Sequence, residues 1–291
     1  MTFKTVPFKN FEQVEITKFY DRQWKPRIEL EKRVRKKWND AILASLKQKD
    51  PKFFKEFLDI ITKNDKERYE ELLPVAETVA AVFNGSVTRA IRMKQNGNKL
   101  LIECEKTDYM HHVATRTNKK LDERANTLYA AVVIVTSDGY LVFGVSEGTE
   151  GRFAGKRNLA AGLVHPVIDA IDGKPSTGLA LQREMFEETG LRLEHFKRIY
   201  PSFVVSEENM QHPSIVYKGY LSLDKEKVMK HFEAKCQMDK FVGETSEFSS
   251  LEFVKFDQES LKKELKNADR YHKRILIILE HLYNELQISK K

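Results

Sequence analysis

Apolar residues recur at helical spacing through the first quarter of the chain and at strand spacing after it. Ile28, Leu30, Val34, Trp38, Ile42, Leu43 and Leu46 fall close to three- and four-residue steps, which predicts an amphipathic helix over 27–47. Pro51 opens a second helix whose buried side is Phe53, Phe54, Phe57, Leu58 and Ile61. Proline suits that first position because its missing N–H has no intrahelical partner there. Residues 70–81 keep the helical spacing but contain Pro74, so the third helix is expected to be interrupted. The Trp and Phe stripes read as core. Residues before 27 read as an extended start.

The pattern then switches. Runs at 87–93 and 99–104 flank Gln95-Asn96-Gly97-Asn98, the sequence of a hairpin turn. The polar stretch 115–126 is the expected linker. Beyond it, 128–136 is almost wholly apolar and β-branched, Ser137-Asp138-Gly139 is a turn, and 140–145 returns as a strand. Residues 148–155 are glycine-rich and read as a loop. Further strands are expected at 198–205, 214–221 and 251–256. Helices are expected at 177–189, with Gly190 as C-cap, at 225–232, and as one long stretch at 268–286. The reading is a smaller α+β module over 1–124, followed by an α/β domain over 125–291.

Composition narrows the classes. With 41% hydrophobic and 10% aromatic residues in 291, the chain can build globular cores. Two cysteines, Cys104 and Cys236, argue against a disulfide framework, and no suitably spaced histidines complete a zinc site. A reducing, cytoplasmic setting is expected. No basic segment leads into an apolar run at 1–6, and no stretch is long enough to span a membrane, so neither leader nor membrane partner is expected. The net charge of +7 is spread among both signs, as on a solvated surface with a mild attraction for phosphate-bearing ligands.

The densest chemistry lies in Arg183-Glu184-Met185-Phe186-Glu187-Glu188-Thr189-Gly190-Leu191. On a helix, Glu184 neighbours Glu187 at i,i+3 and Glu188 at i,i+4. Three anions so close repel one another. A divalent cation reverses the sign of that energy, and an all-oxygen set suits Mg²⁺ or Mn²⁺.

This stretch resembles the second half of the Nudix box, G-x5-E-x7-R-E-U-x-E-E-x-G-U, at every fixed position from Arg183 to Leu191. The first half departs from it. Gly162 precedes Arg183 by 21 positions where the pattern has 14, and Ile168 stands where a glutamate is expected. Residues 167–176 therefore read as an insertion, with Asp169 and Asp172 as candidate stand-ins. The resemblance implies a Nudix α/β/α sandwich with a mixed sheet, and Mg²⁺-dependent hydrolysis of a nucleoside diphosphate linked to another group. Its implied catalytic set is Arg183, Glu184 and Glu187. Glu187 and Glu188 would be the principal metal ligands, while Glu184 would share the metal or take a proton from the attacking water. Arg183 would hold Glu187, and the carbonyl of Ala161 or Gly162 would complete the shell. A later acidic ligand is expected from Glu244, then Glu247, with Glu207 and Glu208 as further alternatives.

Residues 83–89 and 107–115, either side of the hairpin, resemble the module that precedes the Nudix domain in UDP-glucose-type pyrophosphatases. That branch implies a UDP-sugar as substrate, with UMP and a sugar 1-phosphate as products. Arg89, Tyr109 and Thr115 would then face nucleotide or sugar, although Tyr109 fits a half-buried packing role better than direct substrate contact. Lys156 and Arg157, just upstream of Gly162, are the phosphate candidates. His111, His112 and His165 are lesser ones that also fit structural roles. The alternatives are an ADP-ribose or dinucleotide pyrophosphatase, a capped-RNA pyrophosphatase, and a degenerate Nudix module that binds nucleotide without turnover. The partner expected is a small nucleotide, with nucleic acid retained only through the capped-RNA alternative. Oligomeric state is left open.

Overall fold

In a computed structural model, described over residues 8–80, 84–116, 123–147, 154–207 and 211–288, the chain forms two compact units. One comprises Met1–Phe19, Ala90–Cys104 and Thr127–Lys291; the other comprises Tyr20–Arg89 and Glu105–Asn126. In chain order the elements begin with β1 (Phe8–Lys9), β2 (Gln13–Gln23), α1 (Ile28–Lys49), α2 (Pro51–Lys63), α3 (Lys66–Ala80), β3 (Ser86–Asn96), β4 (Lys99–Asp108) and α4 (Tyr109–Thr115). One division between the units falls at 126/127. The other divisions run through β2, β3 and β4, which pair in the order β2-β4-β3.

The second unit is mainly helical. Trp38, Ile42, Leu46, Phe57, Ala76 and Ala80 bury together, the stripes that the periodicity picks out. Asp50 caps α2 by accepting from Phe53 N at 2.9 Å, with Pro51 at its first position. Pro74 does not interrupt α3, which runs through it. The burial of Ala76 and Ala80 beyond it offsets the one hydrogen bond that proline removes. The expected linker also differs. Its first residue, Thr115, ends helix α4, and Arg124, Ala125 and Asn126 are buried. Ala125 N donates to Thr115 Oγ1 at 2.9 Å and the Arg124 carbonyl accepts from Arg89 Nε at 3.3 Å, so this polar stretch is satisfied by packing. Residues 117–122 lie outside the described chain.

The first unit continues with β5 (Tyr129–Val135), β6 (Tyr140–Ser146), β7 (Arg157–Asn158), β8 (Ala160–Leu163), β9 (Ala170–Ile171), β10 (Lys174–Pro175), α5 (Thr177–Thr189), β11 (Phe196–Glu207), β12 (Gln211–Leu221), α6 (Lys225–Val242), β13 (Phe248–Lys255), α7 (Gln258–Lys266) and α8 (Lys273–Ile288). Its main sheet has the order β1-β11-β12-β5-β6-β13, with β8 pairing β5 and β7 pairing β6. The β12–β5 pair is parallel and the other pairs are antiparallel, so the sheet is mixed.

Both faces of that sheet are covered, as the unbroken apolar run of β5 requires. Ala130, Val132 and Ile134 pack with Ala180, Leu181 and Met185 of α5 and with Val228 and Phe232 of α6. Val133 and Val135 pack on the opposite side with Leu261 of α7 and Ile275, Ile278, Leu279 and Leu282 of α8. The unit is therefore an α/β/α sandwich. The single helix expected over 268–286 is instead a short 3-10 turn at Ala268–Arg270 followed by α8, with α7 before them. Tyr271 causes the break: it is extended, 1% exposed and bridged to Arg157 of β7. No helix among the described residues is long and apolar enough to cross a membrane.

Candidate active site

The box helix α5 has the bounds expected from the sequence because local signals fix both of its ends. Ser176 Oγ accepts from Leu179 N at 3.3 Å at the start. Gly190 ends the helix in the left-handed region, at φ 73°. Ala180, Leu181 and Met185 seat one stripe on the sheet. That seating separates the three glutamates. Glu188, three residues after Met185, turns inward and is 3% exposed. The Glu184 side chain is 13% exposed and that of Glu187 is 53% exposed.

Glu188 Oε2 accepts from Ala161 N of β8 at 2.8 Å. Its other close neighbours are carboxylates, Glu247 and Glu184, and the Glu247 carboxyl is within hydrogen-bonding reach. Burial, reinforced by those two anions, holds Glu188 well above the usual carboxylate range. Glu184 is pushed up to about 7, chiefly by burial; Arg183 opposes the shift, and Glu187 and Glu247 add to it. Gly162 belongs to strand β8, paired with Ala130. It is required there because a Cβ at this position would overlap the Glu184 carboxylate.

Arg183 is the organising cation. Its Nη1 donates to Glu184 Oε1 at 2.7 Å and to Glu187 Oε2 at 3.2 Å. Nη2 donates to the Leu163 carbonyl at 3.1 Å. Nε and Nη2 grip Asp169 as a fork, at 3.0 and 2.9 Å. Asp169, 1% exposed, also accepts from His165 N at 2.8 Å. Its carbonyl accepts from Ser176 N at 2.6 Å, so one residue closes the inserted loop onto the start of α5. Asp169 is the stand-in that reaches the box. Ile168 is 67% exposed, and Asp172 sits with Gly173 in the left-handed turn between β9 and β10.

Among the described residues, no three His, Cys, Asp or Glu side chains are arranged to ligate one ion as they stand, and Arg183 engages Glu184 and Glu187. The donor set nevertheless fits a hard divalent cation. Glu188 is a buried carboxyl with one N–H partner and two anionic neighbours, an arrangement that positive charge would stabilise. Glu188, Glu184 and Glu247 are the residues that could hold it, with Glu187 at the exposed edge.

The remaining candidates divide. Glu247, exposed as Glu244 is, bears electrostatically on Glu184 and Glu188. Glu244 is exposed, and its backbone N caps the end of α6 by donating to Asp239 O at 2.8 Å. Glu208 lies outside the described residues, and of Glu207 only the backbone, at the end of β11, is described. Arg157 is not available to phosphate. It is 6% exposed, and its guanidinium donates to Glu252, to Glu264 at 2.6 Å and to the Tyr271 hydroxyl at 2.7 Å. Lys156 is half-buried beside it in sequence.

Arg89 and Tyr109 belong to the other unit and are engaged in its packing. Arg89 pairs with Glu105 at 2.6 Å and lies 4.9 Å over the Trp24 ring. Tyr109 meets the edge of Trp38, with ring centroids 6.5 Å apart. Thr115 is buried and donates to His111 O at 2.6 Å. His111 pairs with Glu31 at 2.7 Å and with Asp108. Burial opposes its charge, but those two carboxylates outweigh it and raise its pKa. His112, also buried, packs against Tyr109.

No family model matches the chain, and no curated protein does. Solved structures show a distant likeness. A MutT protein from Methanosarcina mazei Go1 is 18% identical, with 55% of this chain and 94% of that chain covered and a TM-score of 0.35. A NUDIX-family hydrolase from Clostridium perfringens is 16% identical over 55% and 97%, with a TM-score of 0.32. A NUDIX hydrolase from Nitrosomonas europaea is 16% identical over 55% and 88%, with a TM-score of 0.33. Scores this low transfer no chemistry, so the function of the chain has to come from the residues of its own site.

Proposed function

We propose that the chain is a divalent-cation-dependent pyrophosphatase of the Nudix type. Its substrate would be a nucleoside diphosphate linked to another group, and in particular a UDP-sugar, cleaved to UMP and a sugar 1-phosphate. The observation that carries the reading is Glu188, a buried carboxyl set against Glu184 and Glu247. A fold gains nothing from that repulsion by itself, and a hard divalent cation suits such a donor set.

Bound Mg²⁺ or Mn²⁺ supplies neutralisation of the diphosphate and acidification of a water. The chain's own residues do the rest. Glu188 and Glu247 would hold the ion, with the Ala161 carbonyl as a further ligand, and the N–H of Ala161 fixes the Glu188 carboxylate. Arg183, locked by Asp169, fixes Glu184 and Glu187. Glu184, held by Arg183 Nη1, is the carboxylate assigned to take a proton from the attacking water. Lys156 is the cation left to draw in the phosphates. The UDP-sugar assignment rests on the resemblance of residues 83–89 and 107–115.

A panel of UDP-glucose, UDP-galactose, ADP-ribose, a dinucleoside polyphosphate and capped RNA, each with Mg²⁺, tests the proposal. Release of UMP supports it in full. Release of AMP alone keeps the pyrophosphatase and replaces the substrate. Binding without turnover on any member overturns the enzymatic reading in favour of a nucleotide-binding module.

A further inference from the structure

The loop between β8 and α5 is longer than the box pattern requires, and it opens with His165-Pro166-Val167-Ile168. His165 Nδ1 accepts from Val167 N at 3.1 Å and from Ile168 N at 2.9 Å. This is the local turn that an Asn or Asp side chain ordinarily makes by accepting from backbone N–H groups two and three residues ahead. An imidazole does the same work but carries a second nitrogen. Because Nδ1 accepts, the neutral ring must hold its proton on Nε2. Asp169 and Arg183 both act electrostatically on this ring, which places it beside the fork that organises the box. Burial, with Arg183 reinforcing it against Asp169, keeps the ring's pKa below the ordinary histidine value. Among the described residues Nε2 has no hydrogen-bond partner, and the side chain is only partly buried. The backbone N of His165 is itself tied to Asp169 Oδ2 at 2.8 Å, so the donor is held on a fixed base.

We propose that His165 is a substrate-binding residue whose Nε2–H donates to a phosphate oxygen of the diphosphate, oriented by its Nδ1 turn and by the Asp169–Arg183 fork. The proposal rests on the pyrophosphatase reading and adds a neutral donor to the cationic and acidic groups already placed. A neutral N–H can approach a phosphate beside Arg183 without the like-charge repulsion that a second cation would meet.

Two substitutions separate the roles of the two nitrogens. His165→Asn keeps an acceptor for the Val167 and Ile168 amides and removes the distal donor. His165→Gln keeps a distal N–H and removes the near acceptor. The expected result is that H165N melts as the parent does, keeps kcat, and raises KM about 3–10-fold, the loss of one hydrogen bond. H165Q, which keeps a distal N–H but loses the turn that orients it, should raise KM less than H165N does while its 167 and 168 amides exchange faster with solvent. In nitrogen NMR of the full chain, the His165 Nε2–H signal should shift when methylenediphosphonate is added with Mg²⁺. Unchanged KM in H165N together with an unmoved signal overturns the proposal. So does equal loss of activity in both variants that tracks a lowered melting temperature, which would leave only the turn. If the parent turns over no nucleotide, the pyrophosphatase reading fails by itself, and the phosphonate titration still decides whether His165 binds phosphate.

Discussion

Glu188 shows how one residue couples folding to chemistry. The Ala161 amide satisfies it inside the sandwich, and under the proposed function a cation would let it carry a charge there. Glu188→Gln should abolish Mg²⁺-dependent turnover, by about 100-fold or more, while the metal-free protein melts no lower than the parent, because the neutral amide keeps an acceptor for Ala161 N and cannot ionise beside Glu184 and Glu247. Unchanged turnover would reject the site. The pH dependence has a definite sign. Glu184 ordinarily titrates at 4.5 and is held at about 7 in the folded chain. Between those values the folded chain binds a proton that the unfolded chain has released, so stability falls as pH rises through this window; Glu188 acts in the same direction. The melting temperature without metal should therefore drop from about pH 5 to about pH 7.5, and Mg²⁺ should raise it more at the upper value. A flat profile would contradict the burial of these carboxyls. Gly162→Ala is predicted to cost activity far more than stability, since its methyl would displace the movable Glu184 carboxylate and not backbone. Of these residues, Glu184, Glu187 and Glu188 were legible as a motif. Asp169 was only half legible, because its fork to Arg183 spans the loop and cannot be counted along the sequence.

Helix α5 was legible from end to end because its signals are local: a serine before it, a leucine–methionine stripe along it, a glycine after it. Gly190→Ala should destabilise by about 1–3 kcal/mol in chemical denaturation. The position has φ 73°, and a Cβ would stand 2.7 Å from His231 O of α6. Arg157 carries the opposite lesson. Read as a loop cation near a glycine, it joins β7 to Glu252 of β13, Glu264 of α7 and Tyr271 before α8. Arg157→Met should lower stability by about 2–4 kcal/mol, discounted for the partial exposure of Glu252, by leaving carboxylates without their cation. KM for the nucleotide should stay near the parent value, and a large rise in KM without loss of stability would restore the phosphate role. The same network explains why α7 and α8 are separate helices. Tyr271 is drawn out of helical conformation by a partner 114 positions away, which no window of periodicity contains.

At the scale of the whole chain, the sandwich draws on more sequence than its contiguous part. Phe11, Ile16, Ala90, Leu100, Ile102 and Cys104 lie in one core cluster with Leu128, Val132, Leu181 and Met185. Residues 125–291 expressed alone should therefore lose cooperative unfolding and bind a hydrophobic dye, whereas the full chain should not. A well-folded fragment with a sharp transition would show that those six side chains are dispensable. The sequence by itself determined the local features: where α5 begins and ends, which β5 residues are apolar, that Gly97 turns a hairpin, and that three glutamates share a helix with an arginine. These depend on side-chain type and short spacing, which the chain states directly. Tertiary structure alone decided that Glu188 is buried and Glu187 is not, that Glu247 and not Glu244 meets them, that Asp169 clamps Arg183, and that Arg157 is interior. Each of these depends on which surfaces distant segments bring together, and burial and electrostatic partners do not exist until they do.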